Sequence, residues 1–156
     1  MTVATTTLLD RLSTLVSLFG RGSLDLPEGV LTRDTVYRLN GVAYDDSLGR
    51  PGDPLARLVG RGPGGYRFLL KALRFALPDA RLANGSLERT SLDAGCRLAG
   101  GARLAGTLRG AGGTFDEPCA IALDYDGEGR LTVVHVTMDP DAIARIQAAR
   151  HAETPA

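Results

Sequence analysis

Cysteine, histidine and tryptophan are scarce in this sequence, and their scarcity excludes several classes of protein. The 156 residues include two cysteines, Cys96 and Cys119, two histidines and no tryptophan. Two cysteines so far apart provide neither the disulfide framework of a small secreted domain nor the ligand spacing of a zinc site. We therefore expect no metal, a reducing compartment, and cysteines that pack as small core residues.

An excess of charge of one sign and a long apolar run are also absent. The 18 basic residues balance 18 acidic ones, so the chain has no field suited to nucleic acid or an anionic membrane. No stretch approaches the roughly 20 apolar residues that span a bilayer. The N-terminus also lacks the basic segment that opens a signal peptide. These absences predict a cytoplasmic protein that binds neither nucleic acid nor membranes.

The length and the hydrophobic content predict one folded domain. A chain of 156 residues with 44% hydrophobic residues can bury a single core without disulfides. No linker, repeat or block of like charge divides it. We therefore expect a single domain over residues 1–156, with a frayed tail at 152–156.

Apolar periodicity predicts helices at four places. Apolar residues recur at helical spacing over 8–19 and again over 66–77. A short helix at 53–59 begins with an Asp-Pro pair, and a last helix begins in the same way at Pro140. Each of these segments is amphipathic or capped, so each has a local reason to be helical.

Alternation of apolar and polar residues predicts strands in the rest of the chain. The segment "TRDTVYRLNGVAY" at 32–44 is rich in β-branched and aromatic residues. Four further strands, separated by Gly- and Asp-rich turns, are predicted at 80–90, 96–109, 117–126 and 130–138. Helices segregated from an antiparallel sheet make an α+β domain. We expect a curved antiparallel sheet wrapped as a cone around the N-terminal helices, with a pocket at its open end.

Three segments together resemble one known superfamily. The segments "LTRDTVYRLNG", "RLAGTLRG" and "LDYDGEGRLTVVHVTMD" look like the nuclear transport factor 2-like superfamily, and its SnoaL-like group in particular, over about residues 5–148. The resemblance implies a cone-shaped α+β barrel, usually dimeric, with an apolar pocket and no cofactor. Its members include polyketide cyclases, ketosteroid isomerase, limonene epoxide hydrolase and catalytically silent ligand binders.

The resemblance to the epoxide hydrolases carries over only in part. It implies a pocket role for Tyr37, which follows "DTV", and for Arg103, which stands where those enzymes place an arginine between two aspartates. The positions of the two acids read Ala105 and Val136. Without either carboxylate, this chain lacks the group that activates water in those enzymes.

The isomerase pattern is also incomplete. The resemblance would place its aspartate base near Leu39, its oxyanion-hole acid near Ile121 and its tyrosine near Leu15. The chain therefore resembles these enzymes in fold motifs without their catalytic acids, and its catalytic residues remain unknown at this point.

Six residues are the sequence's candidates for the lining of a pocket. They are Tyr37, Asn40, Arg103, Val134, Val136 and Met138. Tyr37 and Asn40 have opposite parity on one strand, so both can line a cavity only if a bulge at Gly41 intervenes. The alternative for Tyr37 is ordinary packing with its hydroxyl at the rim. The alternative for Arg103 is a solvent-facing partner to a carboxylate on the next strand.

His135 interrupts the apolar strand "LTVVHVTM" and has two interpretations. If Val136 points inward, then His135, Leu131, Val133 and Thr137 face the other way, where the resemblance places a dimer contact. A one-residue slip in register would reverse this and leave His135 as a catalytic base in the pocket. We expect an outer-face or interface residue, because a partly buried polar side chain needs only a partner and not a reaction.

The segment "GRGPGG" at 60–65 satisfies the glycine spacing of a dinucleotide-binding loop. That interpretation needs a strand before the glycines, and the preceding segment is a capped helix instead. We therefore expect no nucleotide cofactor and a hinge or turn between two helices, or a pocket lip.

We expect two partners, a small molecule in the pocket and a second copy of the chain against the last strand, which is apolar on both faces. The expected function is binding of a lipophilic polyketide-, steroid- or terpenoid-like molecule, with cyclase or isomerase chemistry as the implied activity. The alternative is a non-catalytic dimeric module that binds a ligand or a protein. Because the last strand is apolar on both faces and few helices are available to cover it, we also expect an isologous homodimer.

Overall fold

The computed structural model describes residues 3–44, 60–110 and 113–150. In these ranges the chain forms three helices, α1 (Thr5–Gly20), α2 (Gly62–Ala76) and α3 (Pro140–Arg150). The six strands are β1 (Leu31–Leu39), β2 (Val42–Ala43), β3 (Arg81–Leu92), β4 (Gly95–Leu108), β5 (Gly113–Asp126) and β6 (Leu131–Met138). The short helix predicted at 53–59 and the tail at 152–156 lie outside the described residues.

The elements appear close to where periodicity predicts them. The helix predicted over 66–77 begins four residues earlier, because the Gly-Pro-Gly-Gly segment forms its first turn instead of a break. Proline fits there because a residue in the first turn has no helical partner for its N–H. Strand β5 likewise begins at Gly113, four residues before the predicted start.

All six strands of the described chain join one open sheet in the order β2-β1-β6-β5-β4-β3. Strands β3 to β6 form a meander, and the short turns between them require antiparallel neighbours. Strand β1 pairs with β6 in parallel. The sheet is therefore mixed and not wholly antiparallel as predicted, because β1 reaches β6 through the rest of the chain. The α+β class itself is confirmed.

The strand predicted across 32–44 contains a hairpin turn. Leu39 pairs with Val42 across Asn40 and Gly41, whose φ angles are 50° and 84°. Two consecutive positive φ angles make the two-residue turn whose twist matches that of the flanking strands, and Asn-Gly is its favoured sequence. The expected bulge at Gly41 is thus a complete reversal of the chain.

One face of the sheet carries the helices, and we call it the inner face. Two groups of buried side chains lie on it, named here after an aromatic member. The Phe115 cluster contains Phe19, Ala76, Leu77, Ala80, Ala102, Leu104, Leu108, Phe115, Cys119, Ile121, Met138, Ala142 and Ala149. The Tyr125 cluster contains Leu8, Leu15, Val30, Cys96, Leu98, Leu123, Tyr125 and Leu131. Leu87 contacts both clusters, so they meet across the middle of the sheet.

The opposite, outer face has a different character. Its residues on β4 and β5 alternate with the core residues, and none of them belongs to either cluster. Gly101, Ala120 and Thr137 on this face are exposed. The helices of the described chain therefore leave the outer face uncovered.

Leu131 corrects the predicted parity of the last strand. It was expected on the outer face with His135, but it is 3% exposed and belongs to the Tyr125 cluster. The pairing moves from Asp124–Val133 to Tyr125–Leu131, which leaves Thr132 as an extra residue on β6. Such a bulge reverses the alternation for every residue before it.

Candidate functional site

Tyr37 lies in the middle of β1, under the beginning of α2. It pairs with Val134 on β6, is 7% exposed, and its hydroxyl donates a hydrogen bond of 2.7 Å to the carbonyl oxygen of Gly62. Glycine allows this approach, because a Cβ added to Gly65 would lie 3.0 Å from the Tyr37 ring. Tyr37 is therefore a packed inner-face residue whose hydroxyl fixes the first turn of α2.

Tyr66 stands beside Tyr37, one turn into α2. Its ring is half-buried and packs against the Tyr125 cluster. Among the described residues its hydroxyl has no hydrogen-bond partner. Burial raises the pKa of both phenols, and the neighbouring Tyr66 raises that of Tyr37 further. Both groups therefore keep their protons at neutral pH and act as donors, not as bases.

The inner side of β6 is apolar along its length. Val134 packs against the Tyr125 cluster, while Val136 and Met138 join the Phe115 cluster. Their inward direction agrees with the alternation predicted for this strand. The inner face along β1 and β6 thus combines aliphatic side chains with the phenolic hydroxyls of Tyr37 and the nearby Tyr66.

Carboxylates are sparse on the inner face of the described chain. Glu117 has inner-face parity on β5, but it lies half-buried toward one end of the sheet, 3.4 Å from Arg145 on α3. No group of three or more His, Cys, Asp or Glu side chains that could hold a metal ion occurs among the described residues. The interior around Tyr66 therefore offers hydrogen bonding without a strong base.

The side chain of Asn40 forms hydrogen bonds with the backbone of β6. Its side-chain amide donates to the carbonyl oxygen of Met138 at 2.9 Å and accepts from the Met138 N–H at 2.9 Å. Its own backbone N–H donates to Val136. The side chain thus extends the ladder between β1 and β6 and binds the hairpin to the sheet. The structure does not bring it to the Tyr37 ring.

Arg103 lies on the outer face. Its Nε is 2.6 Å from Oδ1 of Asp116 on β5, and both side chains are more than half exposed, at 56% and 54%. This is the cross-strand ion pair that the sequence left open as the alternative for Arg103. The structure therefore separates Arg103 from Tyr37 by the thickness of the sheet.

His135 also lies on the outer face, in a group that sequence reasoning missed. Its Nε2 is 3.1 Å from Oδ2 of Asp124, and Asp124 also accepts hydrogen bonds from Nε and Nη2 of Arg97 at 2.6 and 3.0 Å. Asp124 is 8% exposed. Burial alone would raise its pKa, but the bonds from Arg97 and His135 outweigh burial and lower it. All three residues lie on the outer face of adjacent strands. The alternation within each strand was the signal that could have placed them on one face.

Several solved structures share the fold of this chain over most of its length. A pinacolase from Penicillium brevicompactum matches with a TM-score of 0.61 and 19% identity, covering 96% of this chain and 97% of its own. A proposed polyketide cyclase from Xanthomonas campestris pv. campestris matches with 0.59 and 18%, covering 89% and 96%. A nuclear transport factor 2-like protein of unknown function from Exiguobacterium sp. 255-15 matches with 0.58 and 12%, covering 85% and 98%. The chain has the nuclear transport factor 2-like fold.

Comparisons of the sequence alone do not assign the chain to a particular family within this fold. No protein-family model matches the chain, and no curated protein matches it. Among the described helices, none has the length and apolar character needed to cross a membrane. The nuclear transport factor 2-like fold and the residues around Tyr66 are therefore the basis for a function.

Proposed function

We propose that the chain binds a largely apolar small molecule between α2 and the inner face of the sheet. The observation that carries this proposal is Tyr66, a half-buried phenol without a hydrogen-bond partner among the described residues, in otherwise aliphatic surroundings. The hydroxyl is a donor without a protein acceptor, and one hydrogen bond typically contributes about 0.5–1.5 kcal/mol. A carbonyl, hydroxyl or ether oxygen of a ligand would supply that partner.

The proposed lining follows from the placement of the side chains. Tyr37, Val134, Val136 and Met138 join Tyr66 in it, since all of them have inner-face positions. Asn40 and Arg103 are left out, because the first is bonded to Met138 and the second to Asp116. A polyketide-, steroid- or terpenoid-like ligand suits such a surface, since it combines a broad apolar body with a few oxygens.

The chemistry that these groups support is hydrogen-bond donation to a ligand oxygen. The Tyr66 hydroxyl keeps its proton because burial raises its pKa, so it would stabilise negative charge that develops on a carbonyl or epoxide oxygen. Cyclisation and isomerisation both create such charge. The names of the neighbours, a pinacolase and a proposed polyketide cyclase, support this class of reaction.

Paired ligands test the proposal directly. We expect a steroid or polycyclic ketone to raise the melting temperature of the wild-type protein. Tyr66→Phe should weaken binding of the ketone about tenfold, the loss of one hydrogen bond to a buried group. It should leave binding of the matching hydrocarbon unchanged.

The matched control is Tyr125→Phe, which removes a buried hydroxyl beside Cys96 and Arg11 instead. This variant should bind the ketone like the wild type. If no lipophilic ligand shifts the melting temperature, or if Tyr66→Phe binds the ketone unchanged, the proposal is wrong.

A second proposed property is a homodimer formed through the outer face. Ala99, Ala122 and His135 form a half-buried row there across β4, β5 and β6, with the half-buried Val133 next to it on β6, and no described helix covers them. An uncovered apolar row on a sheet is typical of a self-complementary interface. Sedimentation at pH 8 and micromolar concentration should show a dimer, and a clean monomer would contradict it. A non-catalytic dimeric module remains the alternative to an enzyme.

A cytoplasmic location is proposed on the state of the cysteines. Cys96 and Cys119 are both free and buried, in different clusters. Burial raises the pKa of the Cys119 thiol, which keeps it in the unreactive protonated form. Two unpaired core thiols suit a reducing compartment.

A further inference from the structure

A cleft lies at another part of the described chain, away from Tyr66. Its volume is about 530 Å³, and it opens where the ends of α1 and α2 meet the beginning of β3. It is lined by Gly20, Arg21, Gly22, Arg74, Pro78, Asp79 and Arg81. Three guanidinium groups therefore share one open cleft with a single carboxylate.

Arg74 is the least solvated of the three cations. Its guanidinium carbon lies 4.7 Å from the centre of the Phe19 ring, and its Nη1 donates to the Pro78 carbonyl oxygen at 3.1 Å. Its Nε and Nη2 are buried and have no hydrogen-bond partner in the described chain. A buried cation with unused donors is costly unless an opposite charge lies close to it.

The carbonyl groups at the end of α2 accept only part of the hydrogen bonds that Arg74 can donate. An arginine near a helix C-terminus commonly bonds the last carbonyl groups. Arg74 does so through Nη1 alone, and the carbonyl groups at the end of α1 already accept bonds from the backbone N–H groups of Arg21, Gly22 and Ser23. The helix ends therefore leave the charge of Arg74 largely uncompensated.

Asp79 compensates only part of the positive charge of the cleft. Its two carboxylate oxygens accept bonds from the backbone N–H of Thr107 at 2.7 Å and from the Thr107 hydroxyl at 3.0 Å. These bonds, together with the positive charge of Arg81, hold the pKa of Asp79 below its usual value, so it stays ionised. Neither Arg21 nor Arg81 has a salt-bridge partner among the described residues. Three positive charges thus face one negative charge.

We infer that this cleft binds an oxyanion, the phosphate or carboxylate group of a small molecule, through Arg21 and Arg81 in front of Arg74. Guanidinium groups match such anions because their N–H donors are planar and bind two oxygens at once. Arg21 and Arg81 supply the direct contacts. Arg74 supplies charge from behind, held in place by Phe19 and Pro78. The inference does not depend on the ligand proposed for the Tyr66 region, since no residue is shared.

Titration calorimetry at constant ionic strength tests the cleft with phenyl phosphate, benzoate and chloride. We expect one of the two organic anions to bind, and chloride not to bind. Comparison of phenyl phosphate with benzoate then assigns the phosphate or the carboxylate. Arg21→Ala and Arg81→Ala should each weaken that binding about tenfold, the loss of one charge-assisted contact.

The matched control is Arg67→Ala, which removes an exposed arginine from α2 outside the cleft. It should bind the anion like the wild type, and all three variants should keep the wild-type melting temperature. Equal binding by Arg67→Ala and by the Arg21→Ala/Arg81→Ala double variant would overturn the inference. So would binding of both organic anions no tighter than that of chloride.

Discussion

Two arginine–aspartate pairs on the outer face differ in burial and in the number of hydrogen bonds that the aspartate accepts. In both, Nε lies 2.6 Å from Oδ1 of an aspartate on the neighbouring strand. Asp124 is only 11% exposed in its side chain, whereas Asp116 is 54% exposed. The pairs therefore form an internal comparison of buried and solvated ionic contacts within one sheet.

Loss of the Asp124 carboxylate should destabilise the protein. Asp124→Asn leaves Arg97 and His135 without their shared acceptor, and we expect the free energy of unfolding at pH 7 to fall by about 2 kcal/mol. Urea unfolding measures this. Asp116→Asn is the control, and its effect should stay below about 1 kcal/mol because water replaces the exposed partner. Equal effects would show that neither burial nor the additional bonds of Asp124 make this pair the stronger one.

The pH dependence of stability should report the same carboxylate. The folded protein lowers the pKa of Asp124, so its contribution is fully present above the unfolded value of about 3.9 and is lost as the pH falls through the lowered folded value. Asp126 also has a lowered pKa and adds to this acid loss. In Asp124→Asn the decline of unfolding free energy below pH 4 should be shallower than in the wild type. An unchanged slope would contradict the assignment.

At the scale of the element, the first turn of α2 depends on Gly62 and Gly65, of which Gly62 has the closer contact. Gly62 has a φ of 61°, and a Cβ placed there would collide with the backbone carbonyl group of Arg33 on β1. Gly62→Ala should therefore lower the free energy of unfolding by about 2–4 kcal/mol, through the left-handed conformation and the clash together.

Gly20→Ala is the matched control for that substitution. Gly20 ends α1 and has no neighbour within 4 Å of an added Cβ. Alanine there should be neutral or stabilise the protein by up to about 1 kcal/mol. Urea unfolding of both variants measures the difference. A Gly62→Ala protein as stable as the wild type would show that α2 does not need this close approach to β1.

The helices and the meander could be predicted from local patterns, because these elements depend on residues that are near one another in sequence. The alternation of β4 and the stripe of α1 can be read without knowledge of any partner. The Asn40–Gly41 turn was equally local, and Asn-Gly is a strong hairpin signal that the single-strand interpretation of this segment overlooked. The inward position of Leu131 was not local, since it depends on how β6 pairs with two other strands.

The faces on which the candidate pocket residues lie can be compared with the sequence in the same way, while their role in a pocket stays a prediction. Tyr37 was expected to face inward and does so, and the inward direction of Val134 and Val136 followed from alternation. The proximity of Tyr66 to Tyr37 could not be predicted, because no pattern in either segment specifies that α2 begins above β1. Arg103 shows the converse, since a resemblance in sequence position does not fix the face on which a side chain lies.

At the scale of the whole molecule, the outer face should determine the oligomeric state. Ala122 lies near its centre, paired with Ala99 and His135. Ala122→Arg should leave the fold intact but raise the dimer dissociation constant at least about a hundredfold, because a charge would be buried in the interface. Ala144→Arg, on the exposed side of α3, is the control and should leave the constant unchanged. Sedimentation equilibrium that shows the same dimer for all three proteins would contradict this interface.

The parallel pairing of β1 with β6 has a consequence for the order of folding. The Thr35 hydroxyl bonds the carbonyl oxygen of Leu131, 96 residues away, so β1 leaves the ribosome long before its partner strand exists. The hairpins of β3 to β6 close short loops and can form first, whereas β1 must wait for the whole meander. Pulsed hydrogen exchange during refolding should show the β1 amides protected after those of β4 and β5. Until then the sheet edge at β6 is open, which makes the nascent chain most prone to aggregate at this stage.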